Sequence, residues 1–194
     1  MTMTPNLAGT VPAIPPADLA SIVLRTAPTA DDVIAVRALV EGTGYFRADE
    51  VEVAVELVVE RLEKGEECGY FFVFADEIDA TGAAVLRGYA CYGPIACTIG
   101  GYDLFWIAVD KSQQGRGLGR HLLSETETQV AAAGGRRIYA ETSGKAQYAS
   151  TRQFYLTCGY LQEAEFIDFY DVGDAKVVFG KAVFGDEVTI AVGR

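Results

Sequence analysis

Apolar residues along the chain recur with two periods, and the switching between them sets an order of elements. A short β-branched run at 21–25 reads as a strand. Val33, Val36 and Val40 then recur at helical spacing behind Thr29 and Asp32, which are placed as a capping box. Gly42 and Gly44 stop that helix. Asp49 caps a second one, with Ala54, Leu57, Val58 and Leu62 along it, running to about Lys64 and closed by Gly65. Runs at 70–75 and 85–92 read as strands joined by a polar turn at 79–82. The run 104–109 is apolar throughout, the mark of a strand covered on both faces. A glycine-rich turn at 115–119 leads into a helix with Leu118, Leu122, Leu123 and Val130 inward, ended by Gly134 and Gly135. A strand at 137–141, a helix at 147–158 and an antiparallel pair at 166–170 and 177–183 around Gly173 complete the pattern. The order β-α-α-β-β-β-α-β-α-β-β has no repeat. It predicts an α/β fold with a mixed, mostly antiparallel central sheet flanked by helices.

The length of 194 residues suits one domain with its own core, and 22% charged residues is a globular composition. Pro5, Pro12, Pro15 and Pro16 crowd the start, so 1–20 reads as a flexible tail and 21–194 as a single domain. A net charge of −11 argues against a nucleic-acid partner, which needs a basic face, and against a polybasic membrane anchor. With no apolar leader and no run of about 18 apolar residues, the expected location is cytoplasmic. Cys68, Cys91, Cys97 and Cys158 lack C-x-x-C spacing and His121 is the single histidine, so reduced thiols and no metal are expected. The charge is uneven. Between 111 and 152, seven cations stand against three anions, a net +4. Either this is chance clustering on solvated helix faces or it is a binding stretch for a small polyanion.

The chemistry concentrates between Asp103 and Arg120, where an apolar strand runs into alternating glycines and then a helix. Glycine permits positive φ and close backbone approach. The first-turn amides of a helix point outward and carry partial positive charge, which makes a phosphate cradle. Arg116 and Arg120 share a helix face and are candidates for phosphate contacts, or else ordinary solvated charges. A Walker loop is absent, and Arg120 stands where the third glycine of a dinucleotide fingerprint belongs. The segment Gln114-Gly-Arg-Gly117-Leu-Gly119 does fit Q/R-x-x-G-x-G/A after a strand ending in Val109 and Asp110. In this it resembles the GNAT superfamily of N-acetyltransferases, and the order of elements over 21–183 is similar. The segment Arg152 to Tyr160, with Phe154, Tyr155 and Gly159, resembles the family's A-x-x-F-Y-x-x-x-G-F/Y. Tyr148 stands where the family commonly has Asn, and Thr151 where it commonly has Ala.

The resemblance implies acetyl-CoA as co-substrate, with pyrophosphate on the amides of 115–119 and a strand that splays after about Val109. It implies cofactor contacts at Ile107, Ala108, Val109, Gln114, Gly115, Arg116, Gly117, Leu118, Gly119, Arg120, Thr142 and Arg152. It also implies direct acetyl transfer, in a ternary complex, to a primary amine of a small molecule or peptide. Tyr155 matches the family's proton donor to the leaving thiolate; its other reading is a core tyrosine beside Phe154. Asp103 stands six residues before Val109, where histone-type members carry Glu. A carboxylate entering an apolar strand has a raised pKa, as a general base requires. Otherwise Asp103 caps the Gly100–Gly101 turn, and Tyr102 is a further candidate base. The family builds its acceptor site from the first two helices, their loop and the last strands. Tyr45, Phe46 and Arg47 fall in that loop, where Arg47 could hold a substrate carboxylate. Residues 31–79 hold 14 acids and four bases, which favours a polyamine, aminoglycoside or lysine-bearing peptide unless the helix glutamates face solvent. A GNAT-like module that senses acyl-CoA without turnover and a nucleotide-binding oxidoreductase are the competing functions. Monomer and homodimer both fit.

Overall fold

The structure, a computed structural model, describes residues 19–183. The tail expected at 1–20 lies outside the described residues except for Leu19 and Ala20, which enter a short 3-10 turn. The described elements are β1 (Ile22–Arg25), α1 (Asp32–Thr43), α2 (Ala48–Lys64), β2 (Phe71–Ile78), β3 (Ala84–Pro94), β4 (Gly101–Val109), α3 (Leu118–Ala132), β5 (Arg137–Ser143), α4 (Ala149–Thr157), β6 (Leu161–Asp171) and β7 (Asp174–Ala182). Every element expected from the apolar pattern is present. No described helix is long and apolar enough to cross a membrane.

The strands form one sheet in the order β1-β2-β3-β4-β5-β7-β6. Neighbours are antiparallel except β4 and β5, which α3 joins as a crossover and which are therefore parallel. The sheet is mixed and mostly antiparallel, as predicted. Alternate residues of β2 serve opposite faces. Phe72 and Phe74 meet Val36, Val40, Ala54 and Val58 of α1 and α2. Val73 and Ala75 belong to the other core, with Leu118, Leu122, Val130 and Phe179.

The N-cap of α1 is Asp31 and the Asp32 amide donates to the Thr29 carbonyl at 3.1 Å, so of the predicted Thr29–Asp32 capping box only the half in which the Asp32 carboxylate accepts from the Thr29 amide at 2.6 Å forms. The predicted cap of α2 does not. Asp49 lies inside that helix, which starts after Arg47, and the Arg47 amide donates to the Glu50 carboxylate at 2.7 Å. β4 begins at Gly101 and β6 at Leu161, both earlier than the apolar runs indicate.

One irregularity positions the site. The β4–β5 ladder runs only from Gly101–Arg137 to Leu104–Ala140. Beyond it β4 continues to Val109 along β3, and β5 continues to Ser143 along β7. Opposite β3, Cys91 faces Trp106 and Tyr92 faces Leu104, so Phe105 is the extra residue of a β-bulge. A bulge bends its strand and ends local pairing. The sheet therefore parts after Leu104. The expectation that the strand splays after about Val109 is corrected by five residues, because the bulge acts where the parallel ladder stops.

Candidate active site

The parting opens into a cleft of about 1460 Å³. β4 from Asp103 to Val109 forms one wall and β5 from Glu141 to Ser143 faces it across the gap. The glycine-rich loop with α4 closes one lobe, and the α1–α2 loop with the start of α2 closes the other.

At the first lobe, Gly115 and Gly117 hold φ of 70° and 98°, which L side chains avoid. Gly117 is the N-cap of α3 and supplies no side-chain cap. The first helical bond runs from His121 to Gly117 at 3.0 Å. Among the described residues the amides of residues 115–120 make no well-formed bond to a carbonyl, although 114–117 form a loosely bonded turn. Gln114 ties the loop to the end of β4, its side-chain amide donating to the Val109 carbonyl at 3.1 Å. Arg116 donates to Gln113 at 3.2 Å, and Arg120 lines the same lobe.

Ile107, Ala108, Val109, Gln114, Gly115, Arg116, Gly117, Gly119, Arg120 and Thr142 all line the cleft. Two of the residues expected to contact cofactor do not. The Leu118 side chain is fully buried in the α3–α4 core, which leaves its amide alone for a ligand. The Arg152 guanidinium donates to the carbonyls of Ser143 at 2.7 Å and Lys145 at 3.0 Å. It holds the β5–α4 connection in place.

Tyr155 is a core tyrosine at the edge of the cleft. Its ring packs at 5.4–5.6 Å from Phe154, Tyr160 and Phe179, and it also lines the cleft. Burial pushes its phenol above the ordinary value, so it stays protonated at neutral pH. Asp103 is half-buried in the cleft wall, with no hydrogen bond or ion pair among the described residues. Burial first, and the Glu141 carboxylate second, raise its pKa against the opposing pull of Lys176. It does not cap the Gly100–Gly101 turn. The Thr98 hydroxyl does, accepting from the Gly101 amide at 3.2 Å. Tyr102 faces a separate small cavity beside Gln129 and Ala133, away from Asp103.

The second lobe is aromatic. Phe46 packs on Trp106 at 4.8 Å and Tyr70 meets Phe105 edge-on at 5.5 Å. The Tyr148 hydroxyl donates to the Tyr45 carbonyl at 3.1 Å, and Tyr170 closes the mouth. Of the aromatics here, the sequence singled out Tyr45 and Phe46, and Tyr148 as a departure from the family's Asn. Trp106 and Phe105 stood in plain view in the 104–109 run, but continuous apolarity reads as burial, and Phe105 is 40% exposed.

The acids of the segment 31–79 do not build this lobe, although its aromatic and aliphatic residues do. Of its 14 acids only Glu50 lines the cleft. Asp32 and Asp76 hold Arg25, Glu52 holds Arg37, Glu60 holds Lys64, Glu66 holds Arg61 and Glu77 holds Arg87. Arg47 lines the lobe, with its guanidinium on Asp49 at 3.1 Å. Elsewhere in the cleft Glu141 pairs with Lys176 at 3.0 Å, and Asp174 with Lys145 at 3.1 Å.

A mixed sheet parted beside an uncapped, glycine-rich helix start defines the acetyltransferase class of α/β sandwich. A family model described as an acetyltransferase (GNAT) domain matches residues 67–162, which carry both walls of the cleft. A Desulfovibrio desulfuricans protein assigned to the GNAT family is 46% identical, with a TM-score of 0.80 over 84% of this chain and 99% of that one. The chain belongs to the GNAT family of acetyltransferases. Two more distant structures share the fold. An aminoglycoside 6'-N-acetyltransferase complexed with coenzyme A is 16% identical, TM-score 0.64, over 86% and 99% of the two chains. A Salmonella typhimurium protein with its cofactor acetyl-CoA is 18% identical, TM-score 0.61, over 88% and 98%. No curated protein matches the sequence.

Proposed function

We propose that the protein is an acetyl-CoA-dependent N-acetyltransferase that passes the acetyl group directly to a primary amine of a small molecule or peptide within a ternary complex. The observation that carries this reading is the parted sheet. It places the unspent amides of 115–120, the unpaired Asp103 carboxyl and the protonated Tyr155 phenol around one cleft. The coenzyme A bound to one fold neighbour and the acetyl-CoA bound to another lend further support.

The residues fit the donor. Six consecutive amides and the Arg116 and Arg120 guanidinia suit phosphates. The β4 edge freed beyond Leu104 offers backbone groups to the amides of a pantetheine arm. The thioester supplies an activated acyl carbon. Asp103 takes the proton of the acceptor ammonium, directly or through one water, because only the neutral amine attacks. The amine nitrogen bonds to the carbonyl carbon, and N–H groups of the parted strand stabilise the oxyanion. As the C–S bond breaks, the Tyr155 hydroxyl donates its proton to the departing thiolate, and the second proton lost by the attacking nitrogen passes through water to restore the phenol.

Release of free thiol from acetyl-CoA, measured over a panel of amines, tests this. Tyr155→Phe should lower kcat about 10²-fold or more while the CoA dissociation constant stays unchanged. Tight CoA binding with no thiol release for any amine would instead identify an acyl-CoA sensor.

A further inference from the structure

The two lobes of the cleft lie on opposite faces of the sheet. Ile107, Val109 and Phe154 pack against the α3–α4 core, on the side of the phosphate-binding amides. Phe46, Leu57, Tyr70 and Trp106 pack against the α1–α2 core. The acceptor is left with the second lobe, and that lobe has a definite chemistry. Its walls are two aromatic pairs, Phe46–Trp106 and Tyr70–Phe105, with the apolar side chains of Val53 and Leu57 from α2.

Its charges are mostly spent. Glu50 accepts from the Arg47 amide, Glu141 holds Lys176 and Asp174 holds Lys145. Asp103 is the carboxylate of the cleft with no such partner among the described residues. A polyamine needs a second free carboxylate for its second ammonium. One free carboxylate beside flat apolar walls fits one amino group on one flat apolar body. Aromatic pairs favour offset or edge-to-face contact, and an ammonium gains further from adjacent ring faces.

We infer that the acceptor is an arylalkylamine, its ring held between the Phe46–Trp106 and Tyr70–Phe105 pairs and its amino group directed to Asp103. This rests on the acetyl-transfer reading and narrows it.

Trp106 is the only tryptophan of the chain, so its emission reports occupancy of this lobe without any need for turnover. The full-length protein with bound CoA is titrated with 2-phenylethylamine, and thiol release from acetyl-CoA is compared for 2-phenylethylamine, spermidine and an aminoglycoside. Saturable quenching of Trp106 is expected, with kcat/KM for 2-phenylethylamine at least tenfold above the other two. Trp106→Leu should raise its KM about tenfold, the equivalent of losing one aromatic contact, with CoA affinity unchanged. Faster turnover of spermidine or the aminoglycoside, or emission indifferent to 2-phenylethylamine, would overturn the inference while leaving acetyl transfer standing. Quenching without thiol release for any amine would uphold the lobe's ligand class and overturn acetyl transfer.

Discussion

Asp103 stands on β4 with one face against apolar neighbours and the Glu141 carboxylate nearby. Both effects favour its protonated form, so the folded chain holds that proton to higher pH than the unfolded chain does. The sign of the linkage follows. Between the ordinary aspartate value and the raised one, the native state binds more protons than the unfolded state, and stability falls as pH rises. At neutral pH the ionised carboxylate therefore costs stability, as the proposed role of base requires. Asp103→Asn should abolish most activity, by about 10²-fold or more in kcat/KM. The same variant should melt roughly 1–3 °C higher at pH 7. The gain should shrink as pH falls toward the ordinary aspartate value, where the carboxyl takes up its proton in the folded and unfolded chain alike. Melting curves across pH 4–8 check this, and a variant less stable at every pH would show that Asp103 serves the fold. Tyr155 is displaced in the same upward direction, so its phenol carries a proton at neutral pH and can act as a hydrogen-bond donor in the cleft.

The loop into α3 shows what one element can impose on a ligand site. Gly117 has φ 98°, and a Cβ there would meet open space, so Gly117→Ala carries a conformational penalty alone. A left-handed L-residue costs about 1–2 kcal/mol, and relaxing it rotates the amides at the helix start. The variant should fold and lose about tenfold in CoA affinity, measured by calorimetric titration; unchanged affinity would remove these amides from the phosphate site. This loop was legible in the sequence because its information is local: glycine spacing, one preceding strand, one following helix. The parting of the sheet was not. It depends on where β5 stops pairing and on a bulge at Phe105 that only β3 reveals, neither of which a one-strand pattern encodes. The aromatic lobe was hidden for a related reason, since its rings come from the α1–α2 loop, the residue before β2, β4, the turn before α4 and β6. The acids of α2 were a question of helix face. Val51, Ala54, Val55 and Val58 turn inward, so Glu52, Glu56 and Glu60 turn away. The solvated-face reading was the correct one, and the electrostatic case for a polycationic acceptor fell with it.

Across the whole molecule 27 acids stand against 16 cations, and several of the acids that find a cation tie the layers together. The most consequential cluster is centred on Arg25, at the end of β1. Its guanidinium bonds Asp32 at the start of α1 and Asp76 on β2, and lies 4.3 Å from the Phe74 ring centroid. One side chain thus joins the edge strand, the first helix and the second strand. Burial alone would raise the Asp32 carboxyl, but bonds from Arg25 and Thr29 outweigh it and hold its pKa below the usual value. Stability from a depressed carboxyl is present above its unfolded pKa and is lost as pH falls through the folded value. Arg25→Ala leaves Asp32, 3% exposed at its side chain, charged and without its cation. Removing one partner of a buried pair costs about 3 kcal/mol. In a chain of this size that is a loss of about 6–12 °C in Tm at pH 7. The deficit should shrink below about pH 4, because protonated Asp32 no longer needs the guanidinium. Melting curves of wild type and variant from pH 3 to 7 decide it. A deficit independent of pH would mean that Arg25 acts through its packing on Phe74, and that acid lability arises elsewhere in the molecule.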